Sequence, residues 1–360
     1  MMLAPTYIDG SGAVVPQPTV NQDKFLEEIL EYNERFLQVV SPVYKDYIDV
    51  KLLRRMSKIV KMSIVSARVA MQQAGVDQVD AIMTGTGMGC QIDTEKFLNS
   101  MIENGETLLT PTSFIQSTHN TMGGQIALML GNKNHNLAYV HRTFSFESAL
   151  LDAMMMIAEK EAQKVLVGGI DEITDESWLI KTQIDYYKKH ACKNSEVYND
   201  LQPGALSGEG SAFFVLSADR SEKTYAQLKG VSTLYKPRSN KELEDFIKRF
   251  LVTNELELSA IDLVITGNNG DPVFDRVYEN LATGLLKTIP TGRFKHLCGE
   301  YDTASSFALW IAAGILRHQH VPSTISQHPF KGKTPKNILI YNHFRNINHS
   351  LILVTTPDVS

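Results

Sequence analysis

Residues 139–171 read YVHRTFSFESALLDAMMMIAEKEAQKVLVGGID, and the order of signals in that stretch decides the fold class. Ala149, Leu150, Ala153, Met156 and Ile157 recur at helical spacing, so 146–161 is expected to be a helix with one buried stripe. Val165, Leu166 and Val167 then form a short apolar run that stops at Gly168-Gly169, as a buried strand does. A helix feeding directly into a buried strand is the repeating unit of an α/β protein. The helix starts just after Thr143 and Ser145, with His141 nearby. Helix N-termini favour developing negative charge, and ligands of α/β proteins collect beyond the carboxyl ends of strands, which makes 139–147 a candidate site. Thr143 or Ser145 reads also as a plain N-cap.

The same alternation continues on both sides. Residues 3–8 read as a short strand ended by the turn signal Asp9-Gly10, and 57–74 as an amphipathic helix closed by Gly75. A strand at 80–84 opens into the turn Gly85-Thr86-Gly87-Met88-Gly89, followed by a helix at 119–130 and a strand at 136–140. Residues 173–206 read as a long polar loop, a feature that is usually functional, and 211–216 (SAFFVL) as a strand. The pattern then restarts. Ser239 and Glu242 make a capping box for a helix through Phe250, and a strand at 263–266 runs into Gly267-Asn268-Asn269-Gly270. Pro272 suits the first turn of the next helix. Residues 303–316 form an apolar helix, and 337–341 with 351–354 a closing strand pair. Two α/β halves, 1–220 and 221–360, are the expected division.

Composition narrows the function classes. The chain has 360 residues, 43% of them apolar, which excludes disorder as a whole-chain description. Its 35 basic and 40 acidic residues give a net charge of −5 with no basic stripe, against a nucleic-acid or membrane-surface role. Cys90, Cys192 and Cys298 lie far apart with no CxxC pair, so neither a disulfide scaffold nor a zinc site is expected, and Cys298 reads as a buried, inert thiol. No basic segment followed by an apolar stretch opens the chain, and the run 307–316 is too short to span a bilayer; a cytoplasmic protein is expected. The glycine turn at 85–89 lacks dinucleotide or P-loop spacing, and GxSxG, HExxH and SxxK are absent. His318 and His320 read as solvated, and Met154-Met155-Met156 as core filler.

Four segments in order carry a resemblance. They are Pro111-Thr-Ser-Phe-Ile-Gln-Ser-Thr-His-Asn120 with Met122-Gly-Gly-Gln-Ile-Ala127; Val167-Gly-Gly-Ile-Asp171; Ser207-Gly-Glu-Gly210 before SAFFVL; and Lys295-His-Leu-Cys-Gly299, with Ala304 in a small-residue helix. Together they resemble the β-ketoacyl synthases, condensing enzymes of the thiolase fold. The resemblance implies an α/β, thiolase-like five-layered αβαβα sandwich of two similar halves, with no cofactor and no metal. It implies a dimer interface near 136–140, and an acyl pocket at Phe114, Ile115, Met122 and Ser145. Those residues read also as ordinary packing, Ile115 above all.

A ketosynthase of this class needs a cysteine thiolate at the start of the buried helix. It also needs two histidines that drive malonyl decarboxylation and stabilise the enolate or thioester oxygen. Counted back from Gly168-Gly169, the nucleophile position falls on Thr143. Anchoring on Asp271-Pro272 and Asp275 puts the first histidine at Gly267, or at Asn268 after a one-residue slip. The second follows Gly299, where this chain has Glu300; the family's lysine is matched by Lys295. Residues 344–349 replace the family's glycine-rich C-terminal loop.

The changed positions leave three readings. The first is a non-catalytic, chain-length-factor-like subunit of fatty-acid or polyketide biosynthesis, of the aryl-polyene type among others. It would work with an active ketosynthase, or with a second copy of itself, and with an acyl carrier protein. The second is an acyltransferase or condensing enzyme using the hydroxyl of Thr143 or Ser145, with His141, Glu147 or Glu300 as base. The third is a dimeric scaffold without acyl chemistry, in which the 173–206 loop, with Tyr186, Tyr187, Lys188, Lys189 and His190, meets a partner or simply faces solvent.

Overall fold

The computed structural model describes residues 4–357 apart from 23, 108, 110, 327–329 and 331–333. Ten strands form one sheet: β1 (Thr6–Val14), β2 (Ala81–Gly85), β3 (His135–Tyr139), β4 (Lys164–Asp171), β5 (Gly210–Ser217), β6 (Ala226–Tyr235), β7 (Leu263–Thr266), β8 (Thr291–Arg293), β9 (Asn337–Phe344) and β10 (Asn348–Thr355). Their spatial order is β8-β7-β9-β10-β6-β1-β5-β4-β2-β3. The first five strands thus lie in the order 3-2-4-5-1, and the last five repeat that order. In each group the second strand pairs parallel with the third and fourth, and the fifth runs antiparallel to its neighbours. A short antiparallel contact, Thr6–Ile8 against Ala226–Leu228, joins the groups.

The helices relevant here are α1 (Lys58–Ala74), α2 (Gln91–Glu103), α3 (Thr121–Leu130), α4 (Ser145–Ala158), α5 (Asp175–Gln183), α6 (Asn240–Thr253), α7 (Arg276–Thr283) and α8 (Ser305–His318). Alternation along each strand sorts side chains into layers. Ala81, Met83, Val165 and Val167 of the first group, with Ile338, Ile340, Ile352 and Val354 of the second, pack around α4 and α8 in one central core. The opposite faces carry Ile82, Leu166, Phe213 and Val215 under α1 and α3, and Leu339, Leu351 and Leu353 under α6 and α7. Helix, sheet, helix pair, sheet, helix: this is the expected five-layered αβαβα sandwich.

Four expectations about elements change. β1 runs through Asp9-Gly10 to Val14, and Leu3 lies outside the described residues. The glycines at 10 and 12 serve close approach: a Cβ on Gly10 would sit 2.0 Å from the Ala70 carbonyl oxygen of α1, and one on Gly12 2.4 Å from that of Ser66. The 173–206 segment contains α5, started by a reciprocal capping box between Thr174 and Ser177 and anchored by buried Trp178. α7 begins at Arg276, because Pro272 lies in the turn before it. β9 continues to Phe344 and turns tightly into β10, so what reads as a loop at 342–349 is a hairpin.

Two buried carboxylates fasten these layers. Asp171, at the end of β4, accepts from Gly87 N (2.8 Å) and Thr86 Oγ1 (3.0 Å) on Oδ1, and from Thr303 N (2.9 Å) and Thr303 Oγ1 (2.8 Å) on Oδ2. Glu209 takes the N–H groups of Val39 and Ile173 and pairs with Lys58 Nζ at 2.6 Å. Asp171→Asn sets an amide donor against two of these donors. It should lower stability by roughly 2–3 kcal/mol, read as a drop in Tm with an unchanged far-UV spectrum.

Candidate functional site

After β3 the chain crosses Val140 and His141 and makes one 3-10 turn, Arg142–Phe144, before α4. Gly85 lets β2 lie against that turn, since a Cβ there would come within 2.6 Å of Phe146 N and of the Ser145 carbonyl. Ser145 Oγ accepts from His141 N (2.8 Å) and faces the carbonyls of Thr86 (2.9 Å) and Arg142 (2.6 Å). Its single proton is therefore committed to a carbonyl. Neither Ser145 nor Thr143 is the N-cap; Phe144 holds that position and makes no side-chain cap.

Thr143 is 5% exposed, and its hydroxyl oxygen accepts from Asn348 Nδ2 at 2.7 Å. Asn348 opens β10 and is a contact the sequence does not reveal. Among the described residues no hydrogen bond joins Thr143 to His141, Glu147 or Glu300. His141 is exposed and lies edge-on to Phe144, with ring centroids 6.0 Å apart. Among the described residues Thr143 thus has no base in hydrogen-bond reach.

At the positions where the resemblance places the two histidines, Gly267 or Asn268 and Glu300, other contacts are made. A Cβ on Gly267 would fall 2.1 Å from Asn342 Oδ1 and 2.7 Å from the Tyr278 hydroxyl, so those two side chains occupy the space of a larger residue. Asn268 turns away, its Oδ1 accepting from Thr266 Oγ1 at 2.7 Å. Asn269 takes its place: Nδ2 donates to Glu300 Oε2 at 2.6 Å. Asp275 fixes this turn by accepting from the N–H groups of Asn269 and Gly270, and burial pushes its carboxyl up to about 6. Lys295 Nζ meets Glu300 Oε2 at 2.6 Å with both side chains buried. Gly299, with φ 76° and its Cα facing Gly208 N, delivers Glu300 to that position.

Glu147, one turn into α4, is buried; its Oε1 accepts from Ser350 Oγ at 2.8 Å and its Oε2 has no partner. Burial pushes this carboxyl up, with the hydroxyls of Ser305 and Ser350 opposing. The β9–β10 hairpin also carries two histidines that the sequence analysis did not single out as candidates, His343 and His349, directly opposite each other. Their ring centroids are 5.2 Å apart; Tyr278 stacks on His343 at 4.4 Å, and the Tyr341 hydroxyl lies 2.9 Å from His349 Nδ1. Their signal was the alternation of 337–341 carried on past Tyr341.

The remaining candidates divide. Phe114 and Ile115, on the short helix Pro111–Gln116, are 56% and 65% exposed, so Ile115 is not core packing in this chain. Met122 is fully buried in the outer core, its sulfur 3.3 Å from Cys90 Sγ, away from Thr143. Cys298 is buried and its thiol is pushed up by burial. His318 stacks on Phe25 at 5.0 Å, Met154 is core, and Met155 is exposed. Among the described residues no cluster of three metal-ligating side chains occurs, and no helix is long and apolar enough to cross a membrane.

The family model for the N-terminal domain of β-ketoacyl synthases matches residues 38–192. The 3-oxoacyl-[acyl-carrier-protein] synthase 2 proteins of Staphylococcus aureus strains N315 and Mu50 are each 24% identical over 208 residues, covering 52% of this chain and 49% of theirs. The chain thus spans about half the length of the curated relatives it matches. Among solved structures, the ishigamide ketosynthase/chain length factor superposes with TM-score 0.77 at 16% identity, over 99% of this chain and 100% of that one. A β-ketoacyl synthase from Burkholderia phymatum STM815 gives 0.77 at 14% identity, again over 99% and 100%. A type II polyketide acyl-carrier protein in complex with its ketosynthase gives 0.73 at 16%, over 98% and 100%. At such identities the likeness is one of fold.

Burial holds His343 well below its ordinary value of 6.5 and pulls His349 down to about 4. A folded-state value below the unfolded one means stability that is complete above pH 6.5 and is lost as pH falls from 6.5 toward 4. His349→Asn keeps an acceptor for Tyr341 and removes one of these protons. The fall in Tm between pH 6.5 and 4 should be shallower in that variant than in the unsubstituted protein, measured side by side.

Proposed function

We propose that this chain, which matches the β-ketoacyl synthase N-terminal model over residues 38–192 and shares the fold of solved ketosynthases, is a ketosynthase-like subunit of fatty-acid or polyketide synthesis that does not itself condense. It acts in the manner of a chain-length factor, paired with an active ketosynthase and served by an acyl carrier protein. The observation that carries this reading is the state of Thr143. Asn348 donates into a lone pair of its oxygen, which lowers nucleophilicity, and among the described residues no base is hydrogen-bonded to it.

The other two positions agree. Asn342 and Tyr278 fill the space over Gly267, and Glu300 is spent on Lys295 and Asn269. A glutamate beside a malonyl carboxylate would also repel it. The hydroxyl-nucleophile alternative finds no support in Ser145, whose proton is held by carbonyl groups. Association with a second subunit is supported at the β3 edge. Among the described residues that strand ends the sheet with one side unpaired, and Leu137 on it, Val140 just after it and Leu151 on the helix packed against it stand exposed.

Purified protein incubated alone with acyl- and malonyl-carrier thioesters should gain no acyl mass and release no condensed product. Thr143→Cys should still fail to condense, since no imidazole reaches the thiol. Adding an active ketosynthase should start turnover and change product length. An acyl adduct on Thr143 that Thr143→Ala abolishes would overturn the proposal.

A further inference from the structure

The hairpin that carries Asn348 to Thr143 is anchored at its tip by the side chain of Arg345. Ile347 N–H donates to the Phe344 carbonyl at 2.9 Å, closing a turn whose two central residues, Arg345 (φ 50°) and Asn346 (φ 54°), are both left-handed. Glycine and asparagine adopt that geometry readily; arginine does so only where its side chain is held. Here it is. The Arg345 guanidinium lies 4.4 Å from the ring centroid of Phe274 and 4.5 Å from that of Tyr186, and Nη1 donates to the Asp185 carbonyl at 2.8 Å. Phe344 adds an edge-on contact with Tyr186 at 5.4 Å.

The two anchoring rings come from distant segments of the chain. Tyr186 follows α5 in the first half of the chain. Phe274 sits in the turn whose Asp275 fixes Asn269, and through it Glu300. We infer that Arg345 is a latch: its stacked guanidinium clamps the β9–β10 hairpin to both segments and keeps solutes from Thr143. The claim concerns access and holds whether or not the protein condenses acyl groups. It goes beyond the loss of catalytic residues, because a chamber could lose its thiol and still stay open.

A thiol placed at the nucleophile position reports access directly. Thr143→Cys and Thr143→Cys/Arg345→Ala would be exposed to iodoacetamide under native conditions. Residue 143 would be followed by peptide mass, with buried Cys90, Cys192 and Cys298 as internal controls. Alkylation at 143 is expected to be at least about tenfold faster in the double variant, with Arg345→Lys in between because lysine keeps the charge and loses the planar contact. Tyr186→Leu in the same background removes one ring without touching the hairpin and should also accelerate labelling, which decides the matter should an Arg345 variant fail to fold. Equal rates with the latch intact and broken would overturn the inference.

Discussion

One buried carboxylate, Asp171, joins the three pieces on which the chamber depends. It ends β4, gathers the 86–87 turn that backs the first turn of α4, and holds Thr303 just before α8. Both central helices are thereby set against the same strand end. Burial, and then the neighbouring Asp302, push this carboxyl up, while the four hydrogen bonds from Thr303, Gly87 and Thr86 favour the charged form. The donors must be aligned for the charge to be tolerable, and so the group enforces the geometry that surrounds it. Gly87 belongs to the same constraint, because a Cβ there would meet the Asp302 carboxylate at 2.0 Å.

Much of the fold is legible in the sequence for this reason. The 57–74 helix announces itself by stripe and stop signal and the helix expected at 146–161, observed at Ser145–Ala158, by its stripe, and β7 occupies the residues expected of it. The repeated strand order depends on pairings between distant segments, which periodicity does not carry. The misreadings have local causes. Asp9-Gly10 has turn chemistry, yet the glycines are there because α1 presses on β1. Residues 175–183 lack a strong apolar stripe, and only the Thr174–Ser177 cap marks their helix. Residues 342–349 look like a loop because two left-handed residues that are not glycine make the turn.

The site was less legible, and the reason is physical. Motif residues in this chain are mostly fasteners: Asp171 and Glu209 tie backbone together, and Gly299 permits a close crossing. Their hydrogen bonds and close contacts hold the layers, so they report the scaffold and are silent on reactivity. Counting from them led to Thr143, Gly267 and Glu300 as expectations. What those positions do was set by residues no motif points to: Asn348, Asn342, Tyr278 and Asn269.

These outside residues also make the arrangement hard to reverse by single steps. Restoring an imidazole at 300 removes one member of the buried Lys295–Glu300 pair. Breaking such a pair from one side costs about 3–5 kcal/mol, since the remaining charge stays buried alone. A side chain larger than glycine at 267 collides with Asn342 and Tyr278, and Tyr278 is itself fixed by accepting from His343 N and stacking on that ring. A thiol at 143 would still face Asn348 with no base within a hydrogen bond. Each substitution on its own lowers stability or leaves Thr143 with no base in hydrogen-bond reach among the described residues. The site is therefore held as packed by its own hydrogen bonds and the Lys295–Glu300 ion pair.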